Sequence, residues 1–149
     1  MNKIKSFEVD HDKLEKGAYI SRIDGDIFTY DIRMIKPNTP PYIKVPAAHT
    51  IEHIFATFAR DKYPENIIYV GPMGCRTGFY LLTRDLPHEK ALELIKESMK
   101  LISEFEGAIP GATRKECGNY LEHDLEKAKS YARDMVEVLR DWRVEDLDY

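Results

Sequence analysis

Apolar and polar residues alternate along the first quarter of the chain. Residues 28–33 have the sequence Phe-Thr-Tyr-Asp-Ile-Arg, which has the two-residue period of a strand with one buried face and one polar face. Residues 18–34 together predict two strands, separated by a turn at Asp24-Gly25-Asp26. Two further apolar runs, residues 67–70 and 78–83, predict two more strands.

Three other segments have the apolar spacing of helices. Residues 46–62, which precede Pro64, predict the first helix. The second opens at Asp85-Leu86-Pro87, where aspartate is a candidate cap and proline suits the first turn. The third has apolar residues at steps of three and four: Leu121, Leu125, Ala128, Ala132, Met135, Leu139 and Trp142. We interpret this stripe as a core face; a coiled-coil seam or a docking face for a partner is the alternative.

The order of these elements predicts the fold class. Strands come first and are then interleaved with helices, and the turns between neighbouring strands favour hairpins. We therefore expect an α+β protein in which helices pack on an antiparallel β-sheet. The 149 residues are enough for a single domain with a substantial core.

Composition and charge narrow the possible partners. The chain has 22 Lys and Arg against 26 Asp and Glu, a net charge of -4, so no basic excess exists to bind a nucleic acid. No apolar stretch approaches the roughly 18 residues of a membrane span, and residues 1–12 lack the apolar core of a signal peptide. The two cysteines are too few for a secreted disulfide scaffold. We expect a cytoplasmic protein that binds neither nucleic acid nor membrane.

The segment His49-Thr50-Ile51-Glu52-His53 carries the strongest chemical signal. On a helix, His53 lies about 40° and Glu52 about 60° from His49, on the face opposite the apolar residues. Two histidines on successive turns can hold one metal ion, and the glutamate can reach a bound water or substrate. Ala56 lies on the same face, where a solvated surface would favour a longer polar side chain. A metal site is therefore favoured over two surface histidines.

Two histidines need at least one further ligand. Cys117, just before the last helix, would complete a Cys-His₂ set with one open position, the arrangement expected of a catalytic metal site. Such a set suits Zn²⁺, and Fe²⁺ or Co²⁺ also fit. The alternative for Cys117 alone is a small buried apolar residue. His11, His88 and His123 are rival ligands, although no spacing recommends any of them.

Cys75 lies in a glycine-rich bend beside Arg76. Backbone amides and a cation favour the thiolate there, which can act as a base or nucleophile; an inert structural cysteine is the alternative. The pattern His-x-x-Glu-His is also the inverted zinc-peptidase signature, so a small zinc metallohydrolase is an alternative function. Its weakness is that a single small domain leaves little room for a peptide cleft.

Five segments taken together resemble the S-ribosylhomocysteine lyase (LuxS) family. They are residues 6–11 (SFEVDH), 28–33 (FTYDIR), 49–53 (HTIEH), 71–80 (GPMGCRTGFY) and 116–119 (ECGN). They occur in that family's order, and the resemblance covers essentially the whole chain. One departure is that some members have an acidic residue and a serine where this sequence has Tyr69 and Gly71.

The resemblance implies a homodimer with two sites at the subunit interface, each holding one divalent metal, expected to be Fe²⁺, with Zn²⁺ or Co²⁺ possible. It assigns His49, His53 and Cys117 as metal ligands, Cys75 and Glu52 as acid and base, and Ser6, His11 and Arg33 as substrate contacts. The implied reaction cleaves S-ribosylhomocysteine to homocysteine and 4,5-dihydroxy-2,3-pentanedione, the autoinducer-2 precursor. It proceeds through two carbonyl migrations and a β-elimination, without an organic cofactor.

Overall fold

The computed structural model describes residues 1–149 and contains a four-stranded sheet with three helices. The strands are β1 (Gly17–Asp24), β2 (Ile27–Arg33), β3 (Ile67–Pro72) and β4 (Gly78–Arg84). They are antiparallel throughout and are ordered β1-β2-β4-β3. The helices are α1 (Val45–Lys62), α2 (His88–Ser103) and α3 (Leu125–Leu139). The α+β class and the antiparallel sheet predicted from the sequence are confirmed.

The core lies between the sheet and the helices. Tyr30 and Ile32 of β2 are fully buried there, as the alternating pattern predicts. Phe79 and Leu81 of β4 extend this apolar face, because a neighbouring strand in antiparallel register presents its own alternate residues to the same side. The helices contribute buried residues including Ile51, Phe55, Leu94, Ile95, Met99, Ala128, Ala132 and Met135.

The other face of β2 differs from the prediction. Asp31 and Arg33 alternate with the core residues and were expected in solvent, yet they are only 1% and 3% exposed. Arg33 donates from Nε and Nη2 to the two carboxylate oxygens of Asp31, at 3.1 and 2.5 Å. Two residues distant in sequence complete the hydrogen bonding of this pair. Thr77 accepts a hydrogen bond from Arg33, and the hydroxyl of Tyr149 donates one to Asp31. Two-residue alternation identified the faces of the strand, but it contains no information about what covers them.

The start of α2 also differs from the prediction. The helix begins at His88 with Pro87 at the N-cap position, and no side chain caps it. Asp85 has a φ of 55°, so the chain still turns in a left-handed conformation at this residue. The predicted aspartate cap is therefore wrong, and the helix starts after the proline instead of around it.

The apolar stripe of the last helix is shorter than predicted. Leu121 precedes α3 and is 79% exposed, because the helix begins at Leu125, with the side chain of Asp124 accepting a hydrogen bond from the backbone N–H of Lys127. Trp142 lies beyond the helix and donates from its indole nitrogen to the carbonyl oxygen of Ala18. The middle of the stripe is buried in the core, which confirms the core-face interpretation. None of the helices combines the length and apolar character needed to cross a bilayer.

Candidate active site

The two histidines of α1 converge with a cysteine that is distant in the sequence. Cys117 Sγ lies 3.4 Å from His49 Nε2 and 3.8 Å from His53 Nε2. Ligand atoms about 2.1 Å (nitrogen) and 2.3 Å (sulfur) from a tetrahedral metal stand roughly 3.6 Å from each other. The spacing therefore fits one divalent metal held by His49, His53 and Cys117.

Hydrogen bonds to the backbone orient both imidazoles. His49 Nδ1 lies 2.8 Å from the carbonyl oxygen of Glu122, and His53 Nδ1 lies 2.7 Å from that of Pro110. A carbonyl oxygen only accepts, so Nδ1 carries the proton in both rings and Nε2 presents its lone pair. This arrangement is typical of histidines that bind metals, because the outer hydrogen bond selects the tautomer and holds the ring.

Cys117 lies in the irregular segment between α2 and α3. It is half-buried, and its sulfur accepts a hydrogen bond from the backbone N–H of Asn119 at 3.4 Å. A sulfur facing two imidazoles and a backbone amide is not packed as an apolar core residue. The observed contacts thus support the ligand interpretation over the buried apolar alternative.

His123, one of the rival ligands named from the sequence, joins this group. Its ring stacks on that of His49 with centroids 4.0 Å apart, and a ligand nitrogen of each ring lies within 4.8 Å of the other ligand atoms. His123 Nδ1 lies 3.0 Å from Thr50 Oγ1, whereas its Nε2 is buried without a partner. Burial first, and then the nearby His49 and His53, lower the pKa of His123, which favours its neutral form.

The other two rival histidines lie elsewhere. His11 lines a separate cavity, and His88 Nδ1 lies 2.6 Å from the hydroxyl of Tyr30. Of the three rival ligands named from the sequence, only His123 joins the metal-binding group. Five loop residues separate it from Cys117, and a loop has no fixed period from which a shared site could be predicted.

Glu52 lies on the same helix face as the two histidines. It is half-buried and lines a cavity of about 340 Å³ together with His53, Ala56 and Tyr69. Its carboxylate therefore borders open space next to the metal-binding group, as the helical projection predicted.

Cys75 borders a second cavity, of about 400 Å³. The residues around it come from four separate segments of the chain and include Ser6, His11, Arg33, Cys75, Thr77 and Tyr80. The three predicted substrate contacts and the predicted base are therefore gathered at one cavity. None of its lining residues lines the cavity beside Glu52 or the one beside Cys117.

Arg33, and not Arg76, supplies the cation connected to Cys75. The side chain of Arg76 donates to the carbonyl oxygen of Ile43 at 3.4 Å. Arg33 Nη1 instead donates to Thr77 Oγ1 at 2.8 Å, and that oxygen lies 3.1 Å from Cys75 Sγ. Burial lowers the pKa of Arg33, but the charges of Asp31 and Cys75 and the hydrogen bonds to Asp31 outweigh it, and the pKa is raised overall.

The ring of Tyr69 lies over Gly71 on β3. A Cβ atom placed on Gly71 would lie 2.1 Å from the Tyr69 hydroxyl, so the tyrosine ring occupies the space that a side chain at position 71 would need. The departure noted at these two positions puts an aromatic ring at the cavity beside Glu52.

Two histidines and a glutamate on a helix that packs against an antiparallel sheet, with a loop cysteine beside them, are typical of small metal-dependent enzymes. The family model described as S-Ribosylhomocysteinase (LuxS) matches residues 4–146. The chain belongs to this family.

Individual relatives agree with the family match over their full length. A protein of Finegoldia magna named S-ribosylhomocysteine lyase is 46% identical, with 100% of this chain and 99% of the relative covered. A protein of the same name from Phocaeicola vulgatus is 45% identical, with 100% of this chain and 98% of the relative covered. Another from Borreliella afzelii is 47% identical, with 100% of this chain and 99% of the relative covered.

Proposed function

We propose that this protein cleaves S-ribosylhomocysteine to homocysteine and 4,5-dihydroxy-2,3-pentanedione, with residues 1–149 as one catalytic domain. The observation that carries the proposal is the thiol cavity, in which Cys75 lies with Ser6, His11 and Arg33. A hydrolase of the His-x-x-Glu-His type needs only the glutamate and the metal, and it has no use for this second cluster. The name shared by full-length relatives supports the same reaction.

A divalent metal held by His49, His53 and Cys117 belongs to this proposal, and we expect Fe²⁺, with Zn²⁺ or Co²⁺ as alternatives. One thiolate and two imidazoles suit each of these ions. When bound, the metal supplies Lewis-acid polarisation of the substrate's carbonyl and neighbouring hydroxyl.

Cys75 and Glu52 would move the protons. Cys75 as a thiolate takes the proton from the hydroxyl-bearing carbon next to the carbonyl and returns it one carbon along, while Glu52 transfers protons between the oxygens. Two such rounds bring the ketone to carbon 3. Loss of the carbon-4 proton then expels homocysteine from carbon 5, and the departing sulfur takes up a proton, with Glu52 as the acid or base of this last step. The atoms balance without an external oxidant or reductant.

Ser6, His11 and Arg33 would hold the substrate while Cys75 acts. Each offers a polar group at the border of the same cavity as Cys75. Fixing a flexible, opened sugar in one orientation lowers the entropic cost of reaching the transition state. We therefore assign these three residues to positioning rather than to proton transfer.

A homodimer with sites at the interface is part of the proposal. Within one chain, the Cys75 cavity and the cavities beside Glu52 and Cys117 share no lining residue. Phe7 at the first cavity and Leu121 at the last are large, exposed apolar residues, which a partner subunit would cover. This supports a site in which Cys75 of one subunit faces the metal of the other.

The cytoplasm suits such a protein. Both cysteines are free thiols, and a catalytic thiolate is preserved in a reducing compartment. The proposed product is the precursor of autoinducer-2, so the reaction would supply quorum sensing, while recovery of homocysteine would serve the methionine and activated methyl cycle.

Release of a thiol from S-ribosylhomocysteine tests the proposed reaction. Freshly purified, anaerobic protein of measured metal content is expected to release homocysteine, read with a thiol reagent. Because both protein cysteines are free and react with the reagent, a blank without substrate is subtracted. Absence of release from metal-loaded protein, together with cleavage of a peptide or ester, would instead favour the metallohydrolase.

Mixed dimers test where the site is assembled. A Cys75→Ala subunit and a Cys117→Ala subunit carrying different tags are co-expressed, and the doubly tagged dimer is purified. If each site combines the two subunits, one of the two sites is intact, so turnover is expected at about half of the wild-type value. If Cys75 served the metal of its own chain, both sites would be broken and the mixed dimer would be as inactive as either parent.

A further inference from the structure

The buried ion pair of Asp31 and Arg33 is extended at both ends. At one end, the hydroxyl of Tyr149 donates to Asp31 Oδ2 at 2.6 Å. At the other end, Arg33 donates to Thr77 at 2.8 Å, and the Thr77 hydroxyl lies 3.1 Å from the sulfur of Cys75. A continuous series of hydrogen bonds thus joins residue 149 to the thiol of the proposed catalytic site.

We propose that Tyr149 is a positioning residue that acts on Cys75 through Asp31, Arg33 and Thr77. It borders a different cavity from the one at Cys75, so it acts without touching the substrate. That this role serves catalysis rests on the proposed function. The hydrogen-bond series, and its effect on the Cys75 thiol, are independent of the proposed function.

The chemistry of each group sets the direction of the hydrogen bonds. A carboxylate only accepts and a guanidinium only donates, so Asp31 accepts from both Tyr149 and Arg33, and Thr77 accepts from Arg33. The Thr77 hydroxyl has one hydrogen, and the sulfur of Cys75 is within reach of it. A thiolate has no hydrogen of its own, so when Cys75 is ionised the Thr77 hydroxyl is the donor, and this charge-assisted hydrogen bond stabilises the thiolate.

Tyr149 also affects how much of the Arg33 charge acts on Cys75. The carboxylate of Asp31 divides its negative charge between the guanidinium and the phenol hydrogen. Without the phenol, Asp31 would neutralise Arg33 more completely, and less positive charge would remain to stabilise the thiolate. This coupling is strong because Asp31 and Arg33 are shielded from water.

The ring of Tyr149 is held independently of its hydroxyl. Although 48% of the residue is exposed, its ring stacks on that of Tyr19 at 5.0 Å and 20°. Leu147, two residues earlier, is fully buried. Burial first, and then the negative charge of Asp31, raise the pKa of Tyr149 above its ordinary value, so the phenol remains a donor at neutral pH.

Replacing Tyr149 with phenylalanine removes the hydroxyl and keeps the stacked ring. The readout is the rate at which iodoacetamide alkylates Cys75 at pH 7, followed by mass spectrometry of the peptide that contains it, because only the thiolate reacts. Tyr149→Phe is expected to slow alkylation about threefold to tenfold, the effect of one lost charge-assisted hydrogen bond transmitted through its neighbours. Melting temperature and metal content are expected to match those of wild type.

Tyr19→Phe is the matched control. The hydroxyl of Tyr19 donates to the backbone carbonyl of Glu15 and not to Asp31. This variant therefore removes a phenol hydroxyl from the same pair of stacked rings and leaves the hydrogen-bond series to Cys75 intact. Wild-type alkylation is expected in Tyr19→Phe. Equal rates in Tyr149→Phe, Tyr19→Phe and wild type would overturn the proposal.

A double-mutant comparison tests whether the effect passes through Thr77. Thr77→Val is expected to slow alkylation at least as much as Tyr149→Phe, and the double variant no more than Thr77→Val alone, because both changes interrupt one series. Effects that multiply would refute the connection. Alkylation of Cys75 does not depend on turnover. If the wild-type protein lacked lyase activity, the proposed function would be rejected, but the alkylation test of the Tyr149 proposal would remain valid.

Discussion

A Cys75→Ala protein is expected to keep its metal and lose turnover by about a thousandfold, within the range of a general acid or base. The sulfur is the proposed group that takes the carbon-bound protons in both carbonyl migrations, and alanine offers no substitute. The residue is exposed in a bend and does not belong to the His49, His53 and Cys117 group, so the fold and metal binding should be unaffected. Thiol release and metal analysis on the same preparation measure both parts of the expectation.

One control variant and two contrary outcomes sharpen this result. Cys75→Ser retains a group of similar size that is a far weaker base at neutral pH, and it is expected to be nearly as inactive as Cys75→Ala. Loss of metal from Cys75→Ala would identify Cys75 as a ligand and reject the assignment. Unchanged turnover would show that the reaction needs no thiolate, as expected of the hydrolase.

Cys117→Ala is expected to lose the metal, and with it all turnover. Outer hydrogen-bond partners of metal ligands contribute about ten- to hundredfold to affinity, so loss of a direct ligand should cost at least about a hundredfold. His49 and His53 would remain oriented by the carbonyl oxygens of Glu122 and Pro110, but two imidazoles alone hold a divalent ion weakly. Metal content after dialysis in a chelator-buffered solution gives the measurement.

Cys75→Ala is the matched control for this experiment, since it removes the other cysteine and is expected to stay loaded. A Cys117→Ala protein that keeps its full metal content would refute the ligand assignment. In that case His123 would be the residue to replace next, because its Nε2 is buried without a partner and its ligand nitrogen lies within 4.8 Å of the others.

Local pattern was sufficient for most elements of the fold. Neighbouring residues determine whether a segment can present one apolar face, so the alternation in residues 28–33 and the spacing in residues 46–62 identified β2 and α1 correctly. The same reasoning put His49, Glu52 and His53 on one side of α1, because the period of a helix is fixed by its geometry. The ends of the helices were less predictable. Leu121 continues the apolar spacing of α3 but precedes the helix. Asp85 is of a residue type that often caps helices, yet it does not cap α2.

The sequence by itself thus determined the fold class, the helix that carries two candidate ligands, and the resemblance that singles out the remaining site residues. Only the tertiary structure decided that His123 joins the metal-binding group, that Arg33 is connected to Cys75, and that Tyr149 contacts Asp31 from 118 positions away. The spacing of apolar residues along a segment indicates which of its faces packs in the core and which faces solvent. Which distant side chain then completes a buried hydrogen bond depends on how loops and strand ends meet in space, and no local pattern encodes that.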